Sequence, residues 1–289
     1  MKHSLSAVII LPVVFFSFFN LYSQNQLDTG IKLFESGKFE EAKAFFLTAY
    51  DKNKKDAQIN FYLGRCYLML KDFNKAVDFI EEAVELDEKN VMYHIRLGEA
   101  YGAKAQNSNM FKAVWLASKV KDQFERAYEL DPNDLGAQTA CASFYVQAPS
   151  MMGGDLDKAK KIIQQNPLAQ NRMVKTIEID IVLKEENYPL AQEKFAEFDS
   201  TYNDSTDHYS FYNRYGYFLI NQKAYDKAIR AFTRQIELAP DEANPYDSLG
   251  DAYQAAGNIA AAIAQYKKAL EIDPEMKVSQ EKLEKLMKD

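Results

Sequence analysis

Large apolar residues recur along this chain with a long period laid over the short spacing of helices. Leu33, Tyr67 and Tyr101 each stand three residues after a glycine, and those glycines, Gly30, Gly64 and Gly98, are 34 apart. Gly216 and Gly250 keep that spacing, with Leu219 and Tyr253 three residues on, and Pro240 and Pro274 keep it again. Ala42, Ala76, Ala228 and Ala262 lie twelve after glycines, and four beyond each comes Phe46, Ile80, Phe232 or Tyr266. Apolar positions at such intervals predict helices, and small residues at the glycine and alanine positions let two helices approach closely. The large residue four after each alanine is expected to fill the gap between neighbouring pairs. One pair cannot bury its apolar face alone, so successive pairs must stack.

The stretch "NPYDSLGDAYQAAGNIAAAIAQYKKALEIDP" (244 to 274) resembles the tetratricopeptide repeat family through Tyr246, Leu249, Gly250, Tyr253, Ala262, Tyr266, Ala269 and Pro274. The resemblance implies an all-α fold, a right-handed superhelical solenoid of antiparallel helix pairs. Laying the frame along 24–276 gives about seven units, at about 23–56, 57–90, 91–134, 135–171, 172–208, 209–242 and 243–276. A capping helix follows over 277–289, where Lys and Glu alternate around Val278, Leu283 and Met287. The fifth unit has Ile179 where a small residue is expected, which would hold its first helix farther from its partner.

Two units are enlarged. In the third, the alanine expected at 117 is instead Ala127, so ten residues have been added around "NSNMFKAVWL"; in the fourth, Ala159 stands seventeen rather than twelve after Ala142, so five have been added in "QAPSMMGGD". Pro149 predicts that the preceding helix ends at Gln147 or Ala148, Gly153 and Gly154 offer positive φ, and Asp155 can cap the next helix. Ser108 or Asn109 as cap would start the other helix early, and ten helical residues would lengthen it by about 15 Å. Turns within consecutive pairs lie along one edge of a stack, so Met110, Phe111, Trp115 and Leu116 are expected beside Met151 and Met152. Either the insertions pack on each other as a small satellite core, or part of this edge receives a partner, since methionine and aromatic clusters suit adaptable apolar contacts. The string from Pro149 to Ala159 is also similar to a turn of some exported bacterial repeat proteins. More loosely, it resembles accessory repeat components of substrate-binding-protein-dependent transporters and eukaryotic regulators of microtubule dynamics.

Lys2, an apolar run from Leu5 to Phe19 and the polar Tyr22-Ser23-Gln24 have the pattern of a secretory signal peptide over 1–23, giving a periplasmic or secreted protein. An uncleaved membrane anchor is the alternative, disfavoured by Pro12 and the short run. The formal net charge is -7, and removing the segment leaves 34 Lys and Arg against 42 Asp and Glu. That balance argues against a nucleic-acid groove or an anionic membrane surface, both of which need clustered positive charge. Cys66 and Cys141 each sit in an apolar helical pattern and read as small buried residues.

No nucleotide-binding, nucleophile-elbow or metal-ligand spacing is present; His94 and His208 fall in different units without ligating neighbours, and His94 occupies the packing position of Tyr246. No metal or cofactor is expected, and the reading is non-catalytic. In the family, first helices line the concave face. The resemblance places there Phe61, Arg65, Met69, Met92, Arg96, Glu99, Ser143, Asn213, Tyr217, Asn221, Asp247 and Asp251, apolar with arginines toward the N-terminus and acidic toward the C-terminus. The function expected is an exported scaffold that binds a protein or peptide of the cell envelope in that groove, with Met110, Phe111, Trp115, Met151 and Met152 as a second contact. A small-ligand-binding accessory component of an envelope transport system is the alternative.

Overall fold

The computed structural model describes residues 27–164, 171–202 and 209–288, so the segment read as a signal peptide and His208 lie outside it. Among the described residues every regular element is helical. The chain divides between Lys184 and Glu185 into two compact units. The first holds α1 (27–35), α2 (Phe39–Lys52), α3 (Ala57–Met69), α4 (Phe73–Leu86), α5 (Val91–Gln106), α6 (Met110–Leu130), α7 (Leu135–Gln147), α8 (Leu156–Gln164) and α9 (Arg172–Lys184). The second holds α10 (Tyr188–Tyr202), α11 (Tyr209–Asn221), α12 (Tyr225–Leu238), α13 (Ala243–Ala255), α14 (Ile259–Ile272) and α15 (Lys277–Lys288).

Local chemistry sets the helix starts. Asp56, Asn90 and Asp134 stand before α3, α5 and α7, and their side chains accept backbone N–H bonds, Asp56 from both Gln58 and Ile59 at 3.0 Å. Such caps satisfy donors that have no partner inside the helix and are worth about 1 kcal/mol each. Pairing then depends on the small residues. Ala42, Ala76, Ala228 and Ala262 are fully buried. A Cβ built on Gly64, Gly98, Gly216 or Gly250 would lie 2.4, 2.4, 2.4 or 2.5 Å from Ile80, Phe124, Phe232 or Tyr266. The large residue therefore closes over the glycine of its own pair, and Phe46 also reaches the next pair, stacking on Tyr62 at 5.2 Å.

The ten added residues are shared between two helices. α5 has 16 residues where α3 has 13, and α6 has 21 where α4 has 14, so seven of the ten lengthen the second helix and three extend the first. Ala103, Lys104, Ala105 and Gln106 are strong helix formers, and α5 runs through them. Asn109 caps α6 by accepting from Lys112 N at 3.0 Å. In the fourth unit α7 ends at Gln147, a 3-10 turn spans Ser150–Met152, and Gly153 takes φ +97°. Gly154 serves differently from the sequence expectation: a Cβ there would lie 1.8 Å from the Ala148 carbonyl, so its small size is what the turn requires. Asp155 accepts from the N–H groups of Asp157 and Lys158 at 3.1 Å and starts α8. In regular pairs the corresponding turn also needs one left-handed residue, which is Gly37 or Gly257 in two turns but Lys71, Glu186 or Lys223 in others.

Candidate functional site

In the first unit, residues of α3 and α5 form an aromatic and cationic surface. The Arg65 guanidinium lies 4.2 Å from the Phe34 ring centroid, 5.4 Å from Tyr62 and 5.5 Å from Phe61. Phe61 is itself buried against Tyr93 at 4.5 Å, so it supports the surface rather than lining it. Burial first, and then the charge of Arg96, hold the Arg65 pKa below its ordinary value. Arg96 bonds both carboxylate oxygens of Glu99 at 2.8 Å, while its buried Nε has no partner among the described residues. Met69 and Met92 stand 49% and 45% exposed, and Ser143 on α7 is half-buried. Tyr101 and Tyr145, three after the glycine position, donate to Glu81 and Glu125 of the preceding second helix.

The second unit spends its predicted site residues on itself. Ser248 donates to Asn213 Oδ1 at 3.1 Å, and Tyr217 donates to Asp251 Oδ2 at 2.9 Å. One step further, Ser279 of α15 donates to Asp247 Oδ1 at 2.6 Å, and Lys282 Nζ sits 2.7 Å from both Asp247 Oδ2 and Asp251 Oδ1. Burial lowers the Lys282 pKa, but its bonds to the two carboxylates outweigh that and hold it above the ordinary lysine value. Asn221 is exposed, whereas Asp247 is 4% exposed and held through both oxygens. The acidic end of the expected groove is thus neutralised by α15. Ser279 and Lys282 were not legible as site residues: the apolar positions Val278 and Met287 draw attention, yet these are exposed and Ser279 is fully buried. The available signal was the period, since 279 and 282 are 34 after the buried Pro245 and Ser248.

At the enlarged edge the side chains do not form a satellite core. Leu116 is buried within α6 packing, but Met110, Phe111, Trp115 and Met151 are 69, 90, 55 and 79% exposed, and Met152 is half-buried. The 3-10 turn packs against α6, where Lys121 lies over Gly153. Sequence reasoning also missed a cleft of about 750 Å³ in the second unit, lined by Tyr212 and Tyr215 of α11, Lys227 and Arg230 of α12, and Asp199 of α10. Tyr212 donates to Asp199 at 2.6 Å; burial, then that bond, push its hydroxyl up to about 12.

His94 is a packing residue, buried between Gln123 Oε1 at 2.7 Å and the Glu88 carbonyl at 3.0 Å. Burial pushes the Cys66 and Cys141 thiols up to about 12, which leaves no reactive thiolate at neutral pH. Among the described residues no group of three or more His, Cys, Asp or Glu could hold a metal ion, and no helix is long and apolar enough to cross a membrane.

Two family models described as tetratricopeptide repeat match residues 33–97 and 207–275. The BBSome complex member BBS4 of Mus musculus is 30% identical over 115 residues, 40% of this chain, and the chain spans only 20% of that protein's length. Among solved structures, a tetratricopeptide repeat protein from Parabacteroides merdae ATCC 43184 is similar with a TM-score of 0.67 at 14% identity, covering 91% of this chain and 98% of that one. The APC/C hetero-tetramer Cut9-Hcn1 is similar with a TM-score of 0.62 at 15% identity, covering 89% of this chain and 48% of that one. At such identities the structural likeness is one of fold.

Proposed function

Since the chain is a tetratricopeptide repeat protein, we propose that it is a non-catalytic scaffold of the cell envelope that binds a protein or peptide partner along its first helices, chiefly those of the N-terminal unit. Stacked helix pairs supply an interaction surface, and the observation that carries the choice of unit is Arg65. Its guanidinium is half-buried on three aromatic rings and makes no hydrogen bond among the described residues, so its donors are available to an acceptor on a partner. The exposed Met69 and Met92 flank it with adaptable apolar contact. In the C-terminal unit a partner would first have to displace Lys282. The pattern of Lys2, Leu5 to Phe19 and Ser23 supports export to the periplasm or beyond.

A photo-crosslinker placed at Met92 in cells of the source organism tests this reading. A defined envelope protein captured by the parent, and lost together with Arg65→Ala at unchanged helicity, is the expected result. Capture that is indifferent to Arg65, or no capture at all, sinks it. A second reading, a small anionic ligand, is supported by the cleft with Lys227 and Arg230; a ligand-dependent rise in melting temperature that Arg230→Ala abolishes would favour it.

A further inference from the structure

The overall acidity of this protein hides a segment of the opposite character. Between Glu99 and Asp122 there is no acidic residue, while Lys104, Lys112, Lys119 and Lys121 all fall inside. This segment is the one that the ten added residues extend, at the α5–α6 turn. Phe111 and Trp115, one helical turn apart, share a face of α6 and are 90% and 55% exposed, with Met110 beside them at 69%. Lys119 Nζ lies 5.7 Å from the Trp115 ring, and Lys104, Lys112 and Lys119 have no carboxylate partner among the described residues; Lys121 alone is paired, with Glu125 at 3.9 Å. The 3-10 turn packed against α6 adds Met151, 79% exposed, in a stretch from Leu135 to Gly154 that carries no charge.

We propose that this edge is a membrane-docking tip, with Met110, Phe111 and Trp115 entering the interface of an anionic bilayer while Lys104, Lys112 and Lys119 lie among its headgroups. Aromatic and methionine tips on a helix start suit the boundary between headgroups and acyl chains, and lysine stems bury while their ammonium groups stay wet. The charge pattern selects this occupant. A carboxylate near the tip would be driven toward anionic lipid and desolvated there, and the segment has none, whereas each unpaired lysine is drawn to the surface. Net negative charge over the rest of the chain then favours approach by this basic edge over its acidic surroundings.

Trp115 is the only tryptophan of the chain, so its emission reads this tip alone, whatever the apolar segment from Leu5 to Phe19 does in the same sample. The full chain is mixed with vesicles of phosphatidylglycerol and phosphatidylethanolamine, with phosphatidylcholine vesicles in parallel, and quenching by brominated acyl chains is followed. The expected result is a blue shift and quenching with the anionic vesicles only, reversed by about 0.5 M salt. Lys104→Glu with Lys112→Glu should weaken partition at least tenfold, as should Phe111→Asp, a substitution at a side chain so exposed that folding is untouched by it. Unchanged emission, equal quenching in both lipids, or a shift produced by a soluble protein of the same cells without vesicles would each overturn the proposal.

Discussion

Gly98 and Gly102 occupy the same helix one turn apart, and changing each to alanine should move stability in opposite directions. A Cβ on Gly98 would sit 2.4 Å from Phe124 Cε1 and 2.7 Å from Cδ1, against ordinary contacts of 3.4 Å or more. Phe124 is 9% exposed, with its ring also against Phe144 at 6.5 Å, so it must yield by about 1 Å within a packed core. Such overpacking costs about 1 to 3 kcal/mol, while alanine gains about 1 kcal/mol over glycine in a helix, leaving Gly98→Ala destabilised by up to about 2 kcal/mol. A Cβ on Gly102 would meet only Val120 Cγ2, at 4.0 Å, so there the helix preference acts alone and the variant gains about 0.5 to 1 kcal/mol. Because the helix term is common to both, the difference between the two variants isolates the contact with Phe124. Urea unfolding followed by circular dichroism gives both numbers. Equal shifts of one sign would refute the argument that glycine is there for the approach of the second helix.

Three further outcomes follow from the same packing. Lys282→Met removes the only cation bonded to Asp247 and Asp251 among the described residues, and should cost about 2 to 4 kcal/mol in the unfolding of the C-terminal unit; a cost under about 0.5 kcal/mol would mean that the network is incidental. Raising the pH should destabilise the fold from about pH 9 upward. Cys66 and Cys141 keep their protons to about 12 in the folded chain against an ordinary 9.0, so the unfolded chain releases protons first; stability is full below 9 and falls through 12, and a flat profile from pH 8.5 to 11 would contradict it. Lys223→Gly relieves a left-handed φ of 55° and should stabilise by about 0.5 kcal/mol, read as a shift in the urea midpoint, whereas a loss would show that the lysine side chain matters there.

The fold was legible because it rests on spacing. Gly98 and Ala76 announce close helix contacts by their size alone. The shift of ten residues was legible too: Gly98 meets Phe124, 26 residues on, where Gly250 meets Tyr266, 16 on. What the pattern did not carry was the choice of contact partner. Nothing local tells that the insertion divides between α5 and α6, since helix formers fill both sides of Asn107. The groove residues show the same limit. Asp247 and Arg65 are equally plausible as surface groups in the sequence, yet one is bonded by Ser279 and Lys282, more than 30 residues away, and the other lies open on its aromatic bed. Whether a polar side chain is free depends on what the chain brings to it, and that is set by stacking.

A stack made of like steps has no length of its own, because each step leaves an edge on which the next could be laid. α15 covers that edge on the last described pair. It takes the place of one more first helix and offers Ser279 and Lys282 to the step below, so that an edge with two carboxylates becomes a neutralised one. A chain stopped at Pro274 would expose those carboxylates as a cation-seeking end, open to a lysine from any neighbour, including another copy of itself.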